Sequence, residues 1–218
     1  MEPAIIRLRS SLFLVVFLFV AASCGPVATF REPQPAGVDY LSAFPSRFQG
    51  KYLSKDKASY LQISDNCLVR TYDFDLKLRK DSLPEQYSLK QDSVYDKHSG
   101  KTEKVLIAGD SLLMHLFESD TIFCISDEQV LKKFKGYLFM NSLVDKSSWK
   151  VQKLELSKGV LVLAGISTGL EIDKLRKLTD TPGDTTLFNF SLSKKQFRKF
   201  LKNDGFRNEE TFYKVDDK

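Results

Sequence analysis

Tyr72, Phe74, Leu76 and Leu78 alternate with Asp73, Asp75, Lys77 and Arg79, a period of two that a helix would scatter around its circumference and a strand sorts onto two faces. The stretch predicts a half-buried β-strand with one apolar and one charged side. Short aromatic- or β-branched-rich runs recur at 60–63, 86–89, 104–108, 112–117, 121–125, 149–156, 160–166 and 187–192. Between them stand Asp65-Asn66, Gly109-Asp110, Glu118-Ser119-Asp120 and Ser157-Lys158-Gly159, all built from turn-forming residues. Connections this short force antiparallel neighbours. The expected fold is therefore mainly β, an antiparallel meander closing into a barrel or a folded sandwich.

One or two short helices are expected beside it. Ser126 with Gln129 makes a capping-box pattern opening a helix over 127–134, closed by Gly136. Ser193 caps a C-terminal amphipathic helix over 194–202, where Phe197, Phe200 and Leu201 form an apolar stripe and Gly205 supplies the stop. Residues 167–184 fit neither period and are read as a loop with one helical turn at most. The last strand falls at 211–215.

Composition narrows the class. With 42% hydrophobic and 28% charged residues over 218 positions, the chain can bury a core and is not a disordered or fibrous sequence. A formal charge of +5, left by 33 basic and 28 acidic residues, does not indicate a dedicated nucleic-acid binder. Three cysteines cannot all pair with one another.

The N-terminus assigns one of them. Arg7 and Arg9 precede an apolar run over 12–20 that continues through Ala21 and Ala22. A membrane-spanning helix needs about 20 apolar residues, and this shorter core matches the h-region of a signal peptide. The run ends in Ala21-Ala22-Ser23-Cys24-Gly25, which resembles a bacterial lipobox. That resemblance implies acylation of Cys24 and cleavage before it, so that Cys24 becomes the first residue of the mature protein. An ordinary signal peptide cut near Ala22 or Ser23 is the competing reading. The chain looks like the small lipoproteins common in Bacteroidota, some of which are sent to the cell exterior by an acidic run just behind the cysteine. No such run follows Cys24, so the resemblance implies membrane anchoring through the N-terminal lipid at the periplasmic face of the outer membrane. The domain reading is then a signal peptide at 1–23, a lipidated flexible tether at 24–45 containing three prolines, and a single mainly-β domain at 46–218.

With Cys24 acylated, Cys67 and Cys124 remain as an even pair in an oxidising compartment. A disulfide and two inert buried thiols both fit them. A faint echo links Phe48-Gln49-Gly50-Lys51-Tyr52-Leu53 with Phe134-Lys135-Gly136-Tyr137-Leu138, although repeat architectures normally show three or more copies. Gly50-Lys51-Tyr52 also resembles the opening of lipocalin-like barrels, which implies a cavity suited to a small hydrophobic ligand.

Catalytic patterns are sparse. His98 and His115 have no second His or Cys at zinc spacing, so neither metal nor cofactor is expected. Ser111, His115 and Asp120 carry the letters of a triad without nucleophile-elbow glycines, and Gly165 to Gly169 matches neither nucleotide fingerprint. Asp73 and Asp75 fall on the wet face of a strand, where solvated surface explains them. Two features suit binding. Lys194, Lys195, Arg198, Lys199 and Lys202 line the polar face of the C-terminal helix and suit an anionic surface. The aromatic interior would suit an apolar ligand if the meander encloses a cavity. The expected function is a non-catalytic interaction or structural module of the cell envelope, with an unidentified protein partner, the alternative being a lipocalin-like carrier.

Overall fold

The structure, a computed structural model, describes residues 28–166, 168–180 and 188–215. Residues 1–23, expected to form a signal peptide, the lipidation candidate Cys24 and residues 181–184 lie outside the described residues. In chain order the strands are β1 (Thr29–Phe30), β2 (Tyr40–Leu41), β3 (Gly50–Ser54), β4 (Ser59–Ile63), β5 (Cys67–Arg79), β6 (Tyr87–Lys90), β7 (Ser93–Asp96) and β8 (Thr102–Lys104). They continue as β9 (Leu106–Ala108), β10 (Ser111–Cys124), β11 (Gln129–Phe134), β12 (Tyr137–Asp145), β13 (Ser148–Ser157), β14 (Val160–Gly165), β15 (Asn189–Phe190) and β16 (Asn208–Val215). Two helices stand among them, α1 (Gly169–Thr179) and α2 (Lys194–Lys202). Among the described residues the protein is mainly β, with antiparallel sheets and two short α-helices.

The chain divides into two compact units. The first takes residues 28–40, Glu128–Leu154 and Leu163–Glu209; the second takes Leu41–Asp127, Glu155–Val162 and residues 210–215.

In the first unit the strand order is β2-β11-β12-β13-β14, with β1 set against β13 and against β15. The β1–β15 pair is parallel, Thr29 opposite Asn189 and Phe30 opposite Phe190. Both helices bury apolar faces here. Ile172 and Leu175 of α1 and Phe197 and Phe200 of α2 join Phe30, Phe139, Phe190 and Phe206 in one core. The rings meet edge to face, Phe139 to Phe197 at 5.0 Å and Phe200 to Phe206 at 5.5 Å between centroids, a geometry that aligns ring edges with ring faces. Ser193 caps α2 with its hydroxyl on the Gln196 N–H at 3.3 Å, as its sequence indicates. The stop differs. Asp204 takes the left-handed conformation at φ +49°, while Gly205 lies so close to Phe200 that an added Cβ would fall 2.5 Å from the ring.

Three other local expectations are corrected in these elements. The helix expected over 127–134 is strand β11, paired with β12 from Gln129↔Ser142 to Phe134↔Tyr137. Lys135 and Gly136 both have positive φ, 53° and 89°, the geometry of a two-residue turn whose twist matches its strands. The capping pattern at Ser126 lost to that hairpin. Conversely, much of 167–184 is a true helix, α1, opened by a capping box between Thr168 and Glu171. Of the segment read as a tether, Ala28 to Tyr40 belong to this unit, with Ala28, Phe30 and Gln34 buried.

In the second unit the order is β16-β3-β4-β5-β10-β9. Neither order closes on itself; they end at β2 and at β9, so the barrel alternative gives way to open, sandwich-like sheets. Glu118-Ser119-Asp120 does not turn. β10 runs straight through it, Ser119 opposite Thr71 and Asp120 opposite Arg70. Pairing between β5 and β10 extends along their whole length, from Cys67↔Cys124 to Arg79↔Ser111, whereas β4 reaches only to Tyr72. The far halves of β5 and β10 therefore project as a long arm.

Candidate functional site

The arm owes its form to the alternation of apolar and charged residues from Tyr72 to Arg79. With Leu76 opposite Met114 and Leu78 opposite Leu112, its even-numbered positions make a continuous apolar strip, because side chains across an antiparallel pair share a face. A small sheet, β6-β7-β8, covers part of that strip. Val94, Val105, Leu112 and Met114 form its buried centre, with Leu76, Leu78, Leu83, Tyr87 and Leu89 packed around them. This is a core separate from the aromatic core of the first unit.

The covering is incomplete. A cleft of about 620 Å³ remains, floored by Leu76, Leu78, Leu83, Tyr87, Val94 and Met114. Its rim is polar, with Asp96, Ser99, Lys101 and Glu103 on one side and His115 and Glu118 on the other. The size falls within the usual range for small-molecule sites, and an apolar floor with a few polar groups is their usual lining. Hydrogen bonds from the Ser99 hydroxyl at 2.6 Å and the His98 N–H at 2.8 Å fix Asp96 and hold its carboxyl below the ordinary value. Phe117 also lines the cleft and is 66% exposed. Leu106 of β9 is equally bare. Exposed large apolar side chains on one projecting arm are a mark of interaction surfaces.

The charged face of the arm holds an arrangement the spacing alone does not show. His115 stands directly opposite Asp75, its Nδ1 3.1 Å from Asp75 Oδ1 and its Nε2 3.3 Å from Asp73 Oδ1. The Tyr60 hydroxyl donates to the other oxygen of Asp73 at 2.6 Å, and that bond pushes the hydroxyl above its ordinary value. The β5–β10 register brings His115 to the two carboxylates and the β4–β5 register adds Tyr60, neither of them visible in a linear pattern. Ser111, His115 and Asp120 do not converge. All three lie on β10, where four residues span roughly 13 Å, and Asp120 points to the face opposite His115 by parity. Among the described residues, no group of three or more His, Cys, Asp or Glu is placed to hold a metal ion.

Cys67 and Cys124 are joined by a disulfide, their Cα atoms 4.1 Å apart at the base of the arm. The basic residues of α2 lie elsewhere, in the first unit. Lys195, Arg198, Lys199 and Lys202 line a shallow groove with Lys177 of α1. Lys194 is turned aside: its Nζ reaches the Gly37 carbonyl at 3.5 Å and sits 5.8 Å from the Phe134 ring centroid.

Compared with known proteins, the chain matches no protein-family model, no curated protein and no solved structure.

Proposed function

We propose that this protein is a lipid-anchored lipoprotein of the bacterial cell envelope, acylated on Cys24 at the periplasmic face of the outer membrane, and that it works as a non-catalytic interaction module. The observation that carries the binding role is the arm of the second unit, an open apolar-floored cleft lined in part by the exposed Phe117, with Leu106 also exposed on the same arm. Apolar surface displayed in this way is stabilised by being covered, at roughly 25 cal/mol per Å² removed from water. The lipobox-like stretch ending at Cys24 supports the address.

A second reading is favoured by the cleft's size. A carrier of a small hydrophobic molecule needs an apolar pocket of a few hundred Å³, and the cleft at the arm meets that need without a barrel.

One experiment separates the two. A photo-crosslinking residue replaces Phe117 in the native envelope, with a control at the exposed Lys55. A protein adduct specific to position 117 supports the module; a co-purifying apolar molecule lost on Tyr87→Ala supports the carrier; neither result refutes the cleft as a binding site. For the anchor, metabolic palmitate labelling is expected on the native chain and absent from Cys24→Ala. Label that persists in that variant overturns the assignment.

A further inference from the structure

The groove on the first unit has a composition that points to one kind of occupant. Among the described residues lining it, Lys177, Lys195, Arg198, Lys199 and Lys202 are cationic, and the others, Leu178, Ser193 and Gln196, carry no charge. None of the five cations is paired with a carboxylate among the described residues. Phe197 and Phe200 fix α2 from below by full burial, and the Gln196 side-chain amide donates to the Leu178 carbonyl at 2.6 Å. That bond ties α2 to the C-terminal end of α1. The positive charge is thus spread over a rigid two-helix surface.

The start of the described chain lies near α1. Gly25, Pro26 and Val27 are all that separate Cys24 from the buried Ala28. Four residue steps span at most about 14 Å. Ala28 leads into Thr29, whose N–H donates to the Phe188 carbonyl at 2.8 Å. The Arg176 guanidinium lies over the Phe188 ring, 5.2 Å from its centroid, and Lys177 of the groove is the next residue along α1. The described chain therefore begins close to the end of α1 that bears the groove.

We infer that the α1–α2 groove of the first unit rests on anionic phospholipid headgroups, held against the bilayer by the short leash from Cys24. The inference rests on Cys24 being the acylated residue for its geometry, but the charge complementarity stands without it. Each Lys or Arg near an anionic leaflet strengthens binding by about fivefold, and the leash supplies the proximity at which that attraction acts.

The test uses the full lipidated protein purified from membranes, mixed with vesicles of phosphatidylcholine alone or of phosphatidylcholine with phosphatidylglycerol. Flotation on phosphatidylcholine reads the anchor. Amine labelling of Lys177, Lys195, Lys199 and Lys202 reads the surface. The expected result is flotation on both vesicles, with these lysines protected several-fold only where phosphatidylglycerol is present, and with protection lost at high salt and, at Lys177 and Lys202, in Lys195→Glu/Lys199→Glu. Both positions are exposed, so that variant keeps the core intact. Flotation on both vesicles without differential protection overturns the surface and leaves the anchor standing. Failure to float on phosphatidylcholine alone, with protection on the anionic vesicles, overturns the anchor and leaves the surface standing. Equal protection on phosphatidylcholine when inorganic phosphate is added makes the groove a free-anion site and overturns the membrane assignment.

Discussion

Asn141 holds the backbone of Gln34 in both directions. Its Oδ1 accepts the Gln34 N–H at 2.6 Å, its Nδ2 donates to the Gln34 carbonyl at 2.9 Å, and both residues are fully buried. One side chain thus satisfies the donor and the acceptor of a segment that has no strand partner at that position. Asn141→Leu leaves both groups buried and unpaired, which costs on the order of 2–4 kcal/mol. The expected outcome is a clearly lowered urea midpoint with an unchanged slope, and a midpoint equal to the native one would show the clamp to be dispensable.

Lys132 secures the same segment from below. It is almost fully buried, its Nζ donating to the carbonyls of Pro33 at 2.8 Å and Pro35 at 3.0 Å. Burial pushes its ammonium below the ordinary lysine value. The unfolded chain therefore binds more protons than the folded one between the lowered value and the ordinary 10.5, so this residue makes stability rise with pH across that interval. Lys132→Met removes the rise. Subtracting its stability-versus-pH curve from the native one isolates the effect from the other titrating groups, and a difference that stays flat through the alkaline range contradicts the assignment.

Gly205 is required by the ring above it. A methyl group there would sit 2.5 Å from Phe200, itself wholly buried. Gly205→Ala is expected to cost about 1–3 kcal/mol through overpacking. Thermal unfolding of the variant checks this, and Gly205→Ala combined with Phe200→Leu should recover part of the loss, because the smaller side chain clears the space.

The Cys67–Cys124 bridge closes a loop with a sequence separation of 57, and the whole arm with its small sheet lies inside that loop. Chain entropy alone makes such a crosslink worth about 4 kcal/mol. Reduction, or the pair Cys67→Ala and Cys124→Ala, should lower the denaturation midpoint by that order. Mass spectrometry after alkylation without reductant should show neither cysteine labelled in the native chain.

Much of the β-architecture was legible because alternation and turn chemistry are local. The apolar strip of β5 and the Ser193 cap of α2 need no distant partner to be recognised. Two capping boxes show where locality ends. Ser126 with Gln129 and Thr168 with Glu171 have the same form, yet the first precedes a strand and the second opens α1. The residues after Ser126 can pair with β12 through the Lys135-Gly136 turn, and that pairing outweighs a weak helix start. Glu171 gains partners no window could reveal, since its carboxylate accepts the Thr168 N–H and the distant Arg207 N–H while fully buried. The cleft was hidden for the same reason: Leu76 and Val94 meet through tertiary folding, and His115 reaches Asp73 and Asp75 only through cross-strand register.

The pairing of β1 with β15 sets an order of events. Thr29 is bound to Phe188 across 159 residues, and Phe30 lies in a core whose other members include Phe190, Phe197, Phe200 and Phe206. Emerging from the ribosome, the first unit has its opening strand in hand almost at once, but Trp149 of β13 follows only after more than a hundred residues and its parallel neighbour β15 only near the end of the chain. Contacts of such long range form late. A unit built this way closes its aromatic core last, after the strands of the second unit between residues 50 and 124 have all been made.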